Sequence, residues 1–302
     1  MSFRYVNPGF AELIEALTNK GTVTSNIYNP INSVAFYSTN DQNNSQPSCV
    51  LLANTPNQLY VRFDIYCGTN TFGFYLMENR SSRDYYKFGV RGASSSIYFQ
   101  YGDSSKEIAR TSVDWDNTGV NHIWFHLDLT NFTGEIVING VYKSYSFSQS
   151  DYVGRRIKAY GNSNCYFSNI IISDEYVNPK EQVIMLPTSG VSTDMAANQD
   201  GTYTADNAGQ SVLHTVDAST LITNYGGSSQ VTSLAPLAVP AYRTADGLCN
   251  LVSVDKISGS LTTHNTVEVS SDSDSGICDC WKPNNLTLSD LHGKQLGWQA
   301  AM

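Results

Sequence analysis

The stretch from Asn121 to Tyr145, NHIWFHLDLTNFTGEIVINGVYKSY, decides the fold of this chain. Its first half alternates between apolar side chains on one face and polar or ring-bearing side chains on the other. The apolar face holds Ile123, Phe125, Leu127 and Leu129, and the other face holds His122, Trp124, His126 and Asp128. After a turn at 130–134 the alternation resumes and ends at Asn139-Gly140, a pair that two-residue hairpin turns favour. The stretch therefore predicts antiparallel strands that bury one face.

Similar short runs, separated by Gly, Asn, Asp and Ser, continue through residues 22–186 with no helical period between them. This pattern predicts an all-β antiparallel sandwich or jelly roll for 22–186. The predicted strands are Thr22–Ile27, Val34–Ser38, Cys49–Leu52, Tyr60–Cys67, Gly73–Glu78, Tyr85–Val90, Ile97–Tyr101, Ile123–Leu129, Glu135–Ile138, Tyr142–Phe147, Ile157–Gly161 and Cys165–Ser173.

Residues 1–21 have a different pattern. Phe10, Leu13, Ile14 and Leu17 recur at helical spacing, and Gly21 follows the last of them. This spacing predicts a short amphipathic helix on an N-terminal arm, which docks either on its own domain or on a neighbouring subunit.

The amino-acid composition changes near residue 187. Val183–Leu186 reads as a last apolar strand and Pro187–Gly190 as a linker, after which aromatic residues become rare. Residues 187–302 are predicted to form a second, smaller β-sandwich with a helical turn at Leu221–Tyr225 and a connecting loop at Leu286–Leu291. Its predicted strands are Gly201–Ala205, Ser211–Val216, Val231–Val239, Gly247–Ile257, Leu261–Ser270, Gly276–Trp281 and Gln295–Gln299.

Composition narrows the classes of function. The formal net charge is −9 and Lys and Arg are not clustered, so neither nucleic acid nor an anionic membrane is an expected partner. No apolar run approaches the roughly 20 residues of a membrane span, and the start lacks the pattern of a secretory signal. The six cysteines are sparse for this length, which favours core thiols over a disulfide framework.

The first domain contains the stretches HIWFHL (122–127), IVING (136–140) and FSNIII (167–172). In these stretches it resembles the laminin-G-like, concanavalin A-like jelly rolls. The resemblance implies a two-sheet sandwich of a kind that hosts lectins, glucanases and purely adhesive modules, so it does not define one activity.

A second resemblance lies in residues 1–13 (MSFRYVNPGFAEL), 169–195, 200–222 and 288–300 (LSDLHGKQLGWQA). On these stretches the whole chain looks like structural proteins of bacteriophages and prophages. This resemblance implies a virion protein of the tail or a tail appendage, assembled in the cytoplasm of a bacterial host. The expected partners are other virion proteins through the N-terminal arm, further copies in a trimer or other cyclic oligomer, and host surface polysaccharide.

Loops rich in Tyr are the candidate glycan site, because Tyr and Arg offer large contact area at low entropy cost. The candidate residues are Arg83, Tyr85, Tyr86, Tyr98 and Tyr101. Ordinary decoration of a sandwich surface is the alternative. On the polar face of the 121–128 strand, Trp124 with its histidine neighbours either stacks on sugar or packs beneath a covering loop.

Catalytic and metal motifs are weak. Asp128 and Glu135 could approach each other across neighbouring strands, but a solvated surface pair is the stronger interpretation than an acid/base dyad. Asp272 and Asp274 are expected in a turn, and Cys278 and Cys280 as core thiols. The sequence thus predicts no enzyme, no cofactor and no metal; a capsid decoration or neck protein and a polysaccharide depolymerase stay open as alternatives.

Overall fold

The structure, a computed structural model of the chain, divides into two compact units, Met1–Ile184 and Met185–Met302. The sequence places this boundary near residue 187. The structure describes residues 3–14, 20–25, 27, 32–38, 50–67, 71–77, 87–93, 96–102, 107–111, 116, 118–146, 155–161, 165–243, 248, 250–271 and 275–302.

The described part of the first unit consists almost entirely of antiparallel strands. In chain order these are β1 (Arg4–Asn7), β2 (Lys20–Thr24), β3 (Val34–Ser38), β4 (Val50–Leu51), β5 (Gln58–Tyr66), β6 (Phe72–Met77), β7 (Lys87–Ala93), β8 (Ser96–Gly102), β9 (Glu107–Thr111), β10 (Asn121–Asp128), β11 (Thr133–Ile138), β12 (Val141–Ser146), β13 (Arg156–Gly161) and β14 (Tyr166–Ser173).

Among the described residues these strands form an eight-stranded and a six-stranded sheet. The larger has the order β12-β11-β10-β5-β14-β3-β2, with β1 also paired to β14, and the smaller has the order β4-β13-β6-β7-β8-β9. The chain crosses repeatedly between the sheets, as a jelly roll requires. The predicted all-β sandwich is confirmed; β1 and β9 are strands that the sequence pattern did not indicate.

An aromatic layer between the two sheets forms the core of the first unit. Phe63 of β5 and Phe74 of β6 stack across this layer with ring centroids 4.6 Å apart. Each such buried ring contributes about 1.5–3 kcal/mol relative to an exposed one. The phenylalanines that are fully buried here are Phe36, Phe63, Phe72, Phe74, Phe99, Phe125 and Phe167.

The predicted hairpin is confirmed in register. Ile138 pairs with Val141, so Asn139 and Gly140 are the two turn residues, and both have positive φ (47° and 85°). Positive φ at both positions is the type I′ geometry that matches strand twist. On the other side of β10, His126 lies directly opposite Tyr60 of β5.

The N-terminal segment differs from the predicted helical arm. Described residues 3–14 contain β1 and a 3-10 helix of three residues, Ala11–Leu13, and Ile14 is already extended. The side chain of Asn7 explains the break, because its oxygen accepts hydrogen bonds from the backbone N–H groups of Gly9 and Phe10, both at 2.8 Å. Such local side-chain bonds compete with helix formation. This segment docks on its own unit; predicted Leu17 lies outside the described residues.

Asn169 ties two further segments to the outer face of the larger sheet. It has φ 54° at a bulge in β14, and its side-chain oxygen accepts a hydrogen bond from Val183 N at 2.5 Å. Its backbone N–H donates to Pro8 O at 3.1 Å. The N-terminal segment is thereby fixed beside β14, with which β1 pairs, and residues 174–184 lie on the outer face of the sheet, where Trp124 of β10 also bonds to Val177.

The second unit is built on a five-stranded antiparallel sheet. Its elements are β15 (Thr188–Thr193), β16 (Ala196–Ala197), β17 (Tyr203–Thr204), β18 (Ser211–Val216), α1 (Ser219–Tyr225), β19 (Leu237–Ala238), β20 (Asn250–Asp255), β21 (Thr262–Glu268), β22 (Ile277–Cys278), α2 (Leu288–Leu291) and β23 (Gln295–Ala301). The sheet order is β15-β18-β23-β20-β21, and β19 pairs with β22. Ile277 of β22 packs against Trp298 of β23 in a small core, so a short second layer covers this sheet.

Several predictions for residues after 182 need correction. The connecting loop predicted at Leu286–Leu291 contains the short helix α2, and of the strand predicted at Val231–Val239 only Leu237–Ala238 (β19) is a strand. The predicted linker Pro187–Gly190 enters β15, an edge strand whose side chains are all exposed, so pairing with β18 rather than burial holds it. The predicted strand at Val183–Leu186 is not a strand. The predicted helical turn at Leu221–Tyr225 is confirmed as part of α1.

Candidate functional site

The structure leaves the predicted glycan residues untested. Arg83, Tyr85 and Tyr86 lie outside the described residues. Tyr98 and Tyr101 lie on β8, where their backbones pair with Arg91 and Phe88 of β7, but their side chains are not described. The assignment of these five residues therefore stays a prediction.

The three ring-bearing residues on the outer face of β10 have different environments. The side chain of His122 is 58% exposed and its Nδ1 lies 2.6 Å from Asp64 Oδ1. Trp124 is buried and donates from Nε1 to the carbonyl of Val177 at 2.7 Å. Trp124 thus anchors the covering segment and is not a platform for sugar.

His126 belongs to a cluster of aromatic rings. Its imidazole stacks on the ring of Tyr60 with centroids 4.1 Å apart and an interplanar angle of 1°. Tyr176, which is 63% exposed, meets the same Tyr60 ring edge-on at 5.7 Å. Burial raises the pKa of Tyr60, and the negative charge of Glu135 adds to the effect. Tyr60 therefore remains a neutral phenol at physiological pH.

Glu135 lies between two hydrogen-bond donors. Its Oε1 accepts from the Tyr142 hydroxyl at 2.5 Å, and its Oε2 lies 2.9 Å from His126 Nδ1. The bond from Tyr142, followed by that from His126, lowers the pKa of Glu135, while the carboxylate raises the pKa of Tyr142. Glu135 is therefore an anionic acceptor in fixed position, with about a third of its side chain open to solvent.

Both ring nitrogens of His126 face oxygen acceptors. Nδ1 faces the Glu135 carboxylate, and Nε2 contacts the side-chain oxygen of Gln58. The amide of Gln58 also bonds to Asp128, which fixes its NH₂ group toward that carboxylate and its oxygen toward His126. The imidazole of His126 is thus held by Glu135 and Gln58 at its two nitrogens and by the ring of Tyr60 on its face.

We call the group of Tyr60, His126, Glu135, Tyr142 and Tyr176 the Tyr60–Glu135 face. A depression of ≈ 330 Å³ adjoins it on β11 and β12, near the small end of the about 300–1,000 Å³ that ligand sites occupy. It is lined by Thr133, Gly134, Glu135, Tyr142, Ser144, Tyr145 and Ser146. Exposed rings, a charged acceptor and several hydroxyls thus meet on one open surface.

Asp128 is not available as the second carboxylate of a catalytic pair. Its Oδ1 accepts hydrogen bonds from the backbone N–H groups of Thr130 and Asn131 at 2.9 and 2.8 Å, which close the β10–β11 turn. Burial by itself would raise its pKa, but the bonds from Asn131, Gln58 and Thr130 outweigh burial and lower the pKa to about 2. Asp128 therefore caps the β10–β11 turn.

The second unit holds a separate polar cluster. His264 stacks on Trp281 with centroids 3.9 Å apart, and its Nε2 lies 2.6 Å from Asp255 Oδ2. Ser253 and Asn265 bond to the side chain of Asp279. These groups satisfy one another in the interior of the sheet, which favours a structural role.

Neither a metal-ligating cluster nor a membrane-spanning helix is found in the part of the chain that the structure describes. Within it, no group of three or more His, Cys, Asp or Glu residues is placed to hold a metal ion. Asp272 and Asp274 lie outside it. No helix in the same part is long and apolar enough to cross a membrane.

Sequence reasoning identified part of this site. It singled out His126 and Glu135 but not Tyr142, which the observed pairing of Val137 with Tyr142 places on the same face as Glu135. The position of Tyr60 beside His126 could not be predicted without the strand order, because β5 and β10 are distant in sequence. Tyr176 lies in a segment without regular structure, and no pattern indicated it.

Comparisons with known proteins concern the fold. No protein-family model matches the chain, and no curated protein matches its sequence. A solved structure with similar strands is domain 4 of AbnA, a GH43 extracellular arabinanase from Geobacillus stearothermophilus, in complex with arabinotriose. It is 13% identical with a TM-score of 0.36, covering 58% of this chain and 84% of that one.

Two other solved structures have similarly low sequence identities and TM-scores. The basic winged bean lectin with Tn-antigen is 11% identical with a TM-score of 0.36, covering 57% of this chain and 98% of that one. Domains LG4-5 of the mouse laminin α1 chain are 9% identical with a TM-score of 0.28, covering 70% of this chain and 54% of that one.

Proposed function

We propose that the first unit binds a glycan through the Tyr60–Glu135 face and does not cleave it. The observation that carries the proposal is the Glu135 carboxylate, held between Tyr142 and His126 beside exposed aromatic rings. Sugar rings present C–H groups that pack on aromatic rings and hydroxyls that donate to a carboxylate. The carboxylate and the tyrosine hydroxyls offer both kinds of contact on one surface.

The charge of the chain favours a neutral glycan. The chain carries a formal net charge of −9, and the pKa of Glu135 is lowered, which keeps an anionic carboxylate on the Tyr60–Glu135 face. An acidic polysaccharide is repelled by this field, whereas a neutral sugar is not. We therefore expect hexose- or pentose-type polysaccharide without carboxylate or phosphate groups.

The same proposal includes a place in a phage particle. The sequence resembles phage and prophage structural proteins, and a tail or tail appendage is where host polysaccharide is met. Self-association into a cyclic oligomer and attachment to other virion proteins belong to this proposal, since a shallow site gains retention from multivalency. Under this proposal the protein is a virion component that is assembled in the host cytoplasm.

The test has two parts. The purified full chain is applied to an array of bacterial polysaccharides, and the retained glycans are incubated with it and assayed for new reducing ends. Retention on a neutral glycan without new reducing ends supports the proposal. New reducing ends indicate a depolymerase, and retention on no glycan favours the architectural role.

The place in the particle is tested separately. Antibodies against the chain, with gold detection in electron micrographs of phage particles, report where it lies. Labelling of the tail or its appendages supports the proposal; labelling spread over the capsid, or confined to the neck, contradicts it.

A further inference from the structure

Cys67 and Cys165 lie opposite each other at the end of two neighbouring strands. Tyr66 of β5 pairs with Tyr166 of β14, so one step further along this antiparallel pair the two cysteines face each other. Both residues are fully buried, and both belong to the core cluster between the sheets.

The geometry around the pair leaves the two sulfur atoms in contact. They lie 2.7 Å apart, closer than the roughly 3.5–4.0 Å that even the smaller carbon atoms keep when they are not bonded. Opposed residues of antiparallel strands have Cα atoms about 4.5–5.5 Å apart, within the about 4.4–6.8 Å that disulfides span. Gly161 packs directly against Cys165; a Cβ there would lie 2.3 Å from the Cys165 Cβ.

We propose that Cys67 and Cys165 are a disulfide-forming pair that cross-links the two central strands of the larger sheet when the chain meets an oxidant. The oxidant is a small-molecule disulfide such as oxidised glutathione. The thiolate of one cysteine attacks it and releases one glutathione; the second thiolate attacks the mixed disulfide and releases another. Two protein thiols and one disulfide thus become one protein disulfide and two thiols.

The cross-link closes a long loop. The cysteines are 98 positions apart. The loop between them contains the strands β6–β9 and β13 of the smaller sheet and β10–β12 of the larger sheet. A loop of this length restricts the unfolded chain strongly. Thiols persist in a reducing cytoplasm and disulfides outside it, so the compartment in which the chain folds decides whether the buried pair is oxidised. This inference does not depend on glycan binding.

The test uses the full chain refolded from denaturant, once with reduced and oxidised glutathione and once with excess dithiothreitol. After the first treatment we expect an intact mass about 2 Da lower under non-reducing conditions, one proteolytic peptide that joins Cys67 to Cys165, and a thermal midpoint higher by about 5–15 °C. The double variant Cys67→Ser, Cys165→Ser loses the joined peptide, whereas Cys278→Ser, Cys280→Ser keeps it.

The decisive measurement is the search for the joined peptide in the wild-type chain. The test therefore remains valid even if a variant fails to fold. If both Cys67 and Cys165 react with iodoacetamide in denaturant after glutathione treatment, and no joined peptide is found, the proposal is overturned. A joined peptide that links either cysteine to a different partner overturns it equally.

Discussion

The imidazole of His126 lies flat on the phenol ring of Tyr60, with centroids 4.1 Å apart and planes 1° from parallel. The two residues are directly opposed on β5 and β10, so the backbone ladder itself sets this contact. Since Glu135 is in turn directly opposed to His126 on β11, three neighbouring strands hold the site. A site built on paired strands is rigid before a ligand arrives, which reduces the entropy cost of binding.

Replacing Tyr142 by Phe removes one donor to Glu135 and one hydroxyl from the Tyr60–Glu135 face. We expect glycan affinity to fall about 5- to 10-fold, equivalent to about 1–1.4 kcal/mol, because the face loses one hydroxyl that can bond to the glycan. Stability should change by less than about 0.5 kcal/mol, since Tyr142 is mostly exposed. Isothermal titration calorimetry with a glycan retained on the array measures the affinity. Urea unfolding measures the free energy of unfolding.

The matched control is Tyr225→Phe, an exposed tyrosine of α1 in the second unit. It makes the same chemical change outside the proposed site, and we expect unchanged affinity. Equal losses in both variants would place the glycan somewhere other than the Tyr60–Glu135 face.

Asp128 gives the first unit a specific sensitivity to acid. Its pKa of about 2 lies below the ordinary value of 3.8, so the folded state favours the ionised form. The resulting stability, about 2 kcal/mol, is fully present above about pH 4 and is lost as the pH falls through about 2. Urea unfolding of the wild type and Asp128→Asn at about pH 6 and about pH 2.5 measures it. The difference in free energy of unfolding between the wild type and Asp128→Asn should shrink by more than half at the lower pH. A difference that is the same at both pH values contradicts this account of the turn.

The larger features of the fold could be predicted because they depend on local alternation. The 121–145 hairpin carries its register in its own sequence, from the alternation of β10 to Asn139-Gly140. The N-terminal segment misled this reasoning, since Phe10, Leu13 and Ile14 have helical spacing. Tertiary contacts decided its structure: Asn7 fixes the turn, and β1 pairs with β14, which is distant in sequence.

The candidate site was only partly accessible to sequence reasoning for a related reason. Glu135 and Tyr142 belong to one hairpin. The register that brings them together follows from its two-residue turn at Asn139-Gly140. Tyr60 and Tyr176 join them through strand order and a covering segment, both of which depend on the whole fold. The proximity of Asp128 and Glu135 on neighbouring strands was foreseen, but the role of Asp128 as a turn cap depends on backbone N–H groups, which no residue pattern reveals.

Asp64 neutralises a buried cation on the outer face of the larger sheet. Arg62 and Asp64 are both nearly inaccessible, and Nη1 of Arg62 lies 2.8 Å from Oδ1 of Asp64. Replacing Asp64 by Ala leaves the guanidinium buried without its carboxylate, and we expect a loss of about 3–5 kcal/mol in urea unfolding. The double variant Arg62→Met, Asp64→Leu should recover most of this loss. If the double variant is as unstable as Asp64→Ala, packing rather than uncompensated charge is the cause.

Gly9 tests whether the N-terminal segment is an integral part of the first unit. It has φ 146°, and a Cβ at this position would lie 2.4 Å from the carbonyl oxygen of Val34. Gly9→Ala should therefore destabilise the unit by more than about 2 kcal/mol, through both backbone strain and the clash. Gly140→Ala is the control, because it has φ 85° but no atom within 4 Å, and should cost only about 1 kcal/mol. Equal thermal midpoints for the two variants would show that residues 3–14 do not dock as described.

The central claim is that the Glu135 carboxylate, rather than the sandwich surface in general, recognises the glycan. The most direct measurement is the affinity of the wild type, Glu135→Gln and the exposed-carboxylate control Glu268→Gln for one neutral polysaccharide retained on the array, by isothermal titration calorimetry. We predict at least a tenfold loss for Glu135→Gln, no change for Glu268→Gln, and similar free energies of unfolding for all three proteins. Wild-type affinity in Glu135→Gln would contradict the claim.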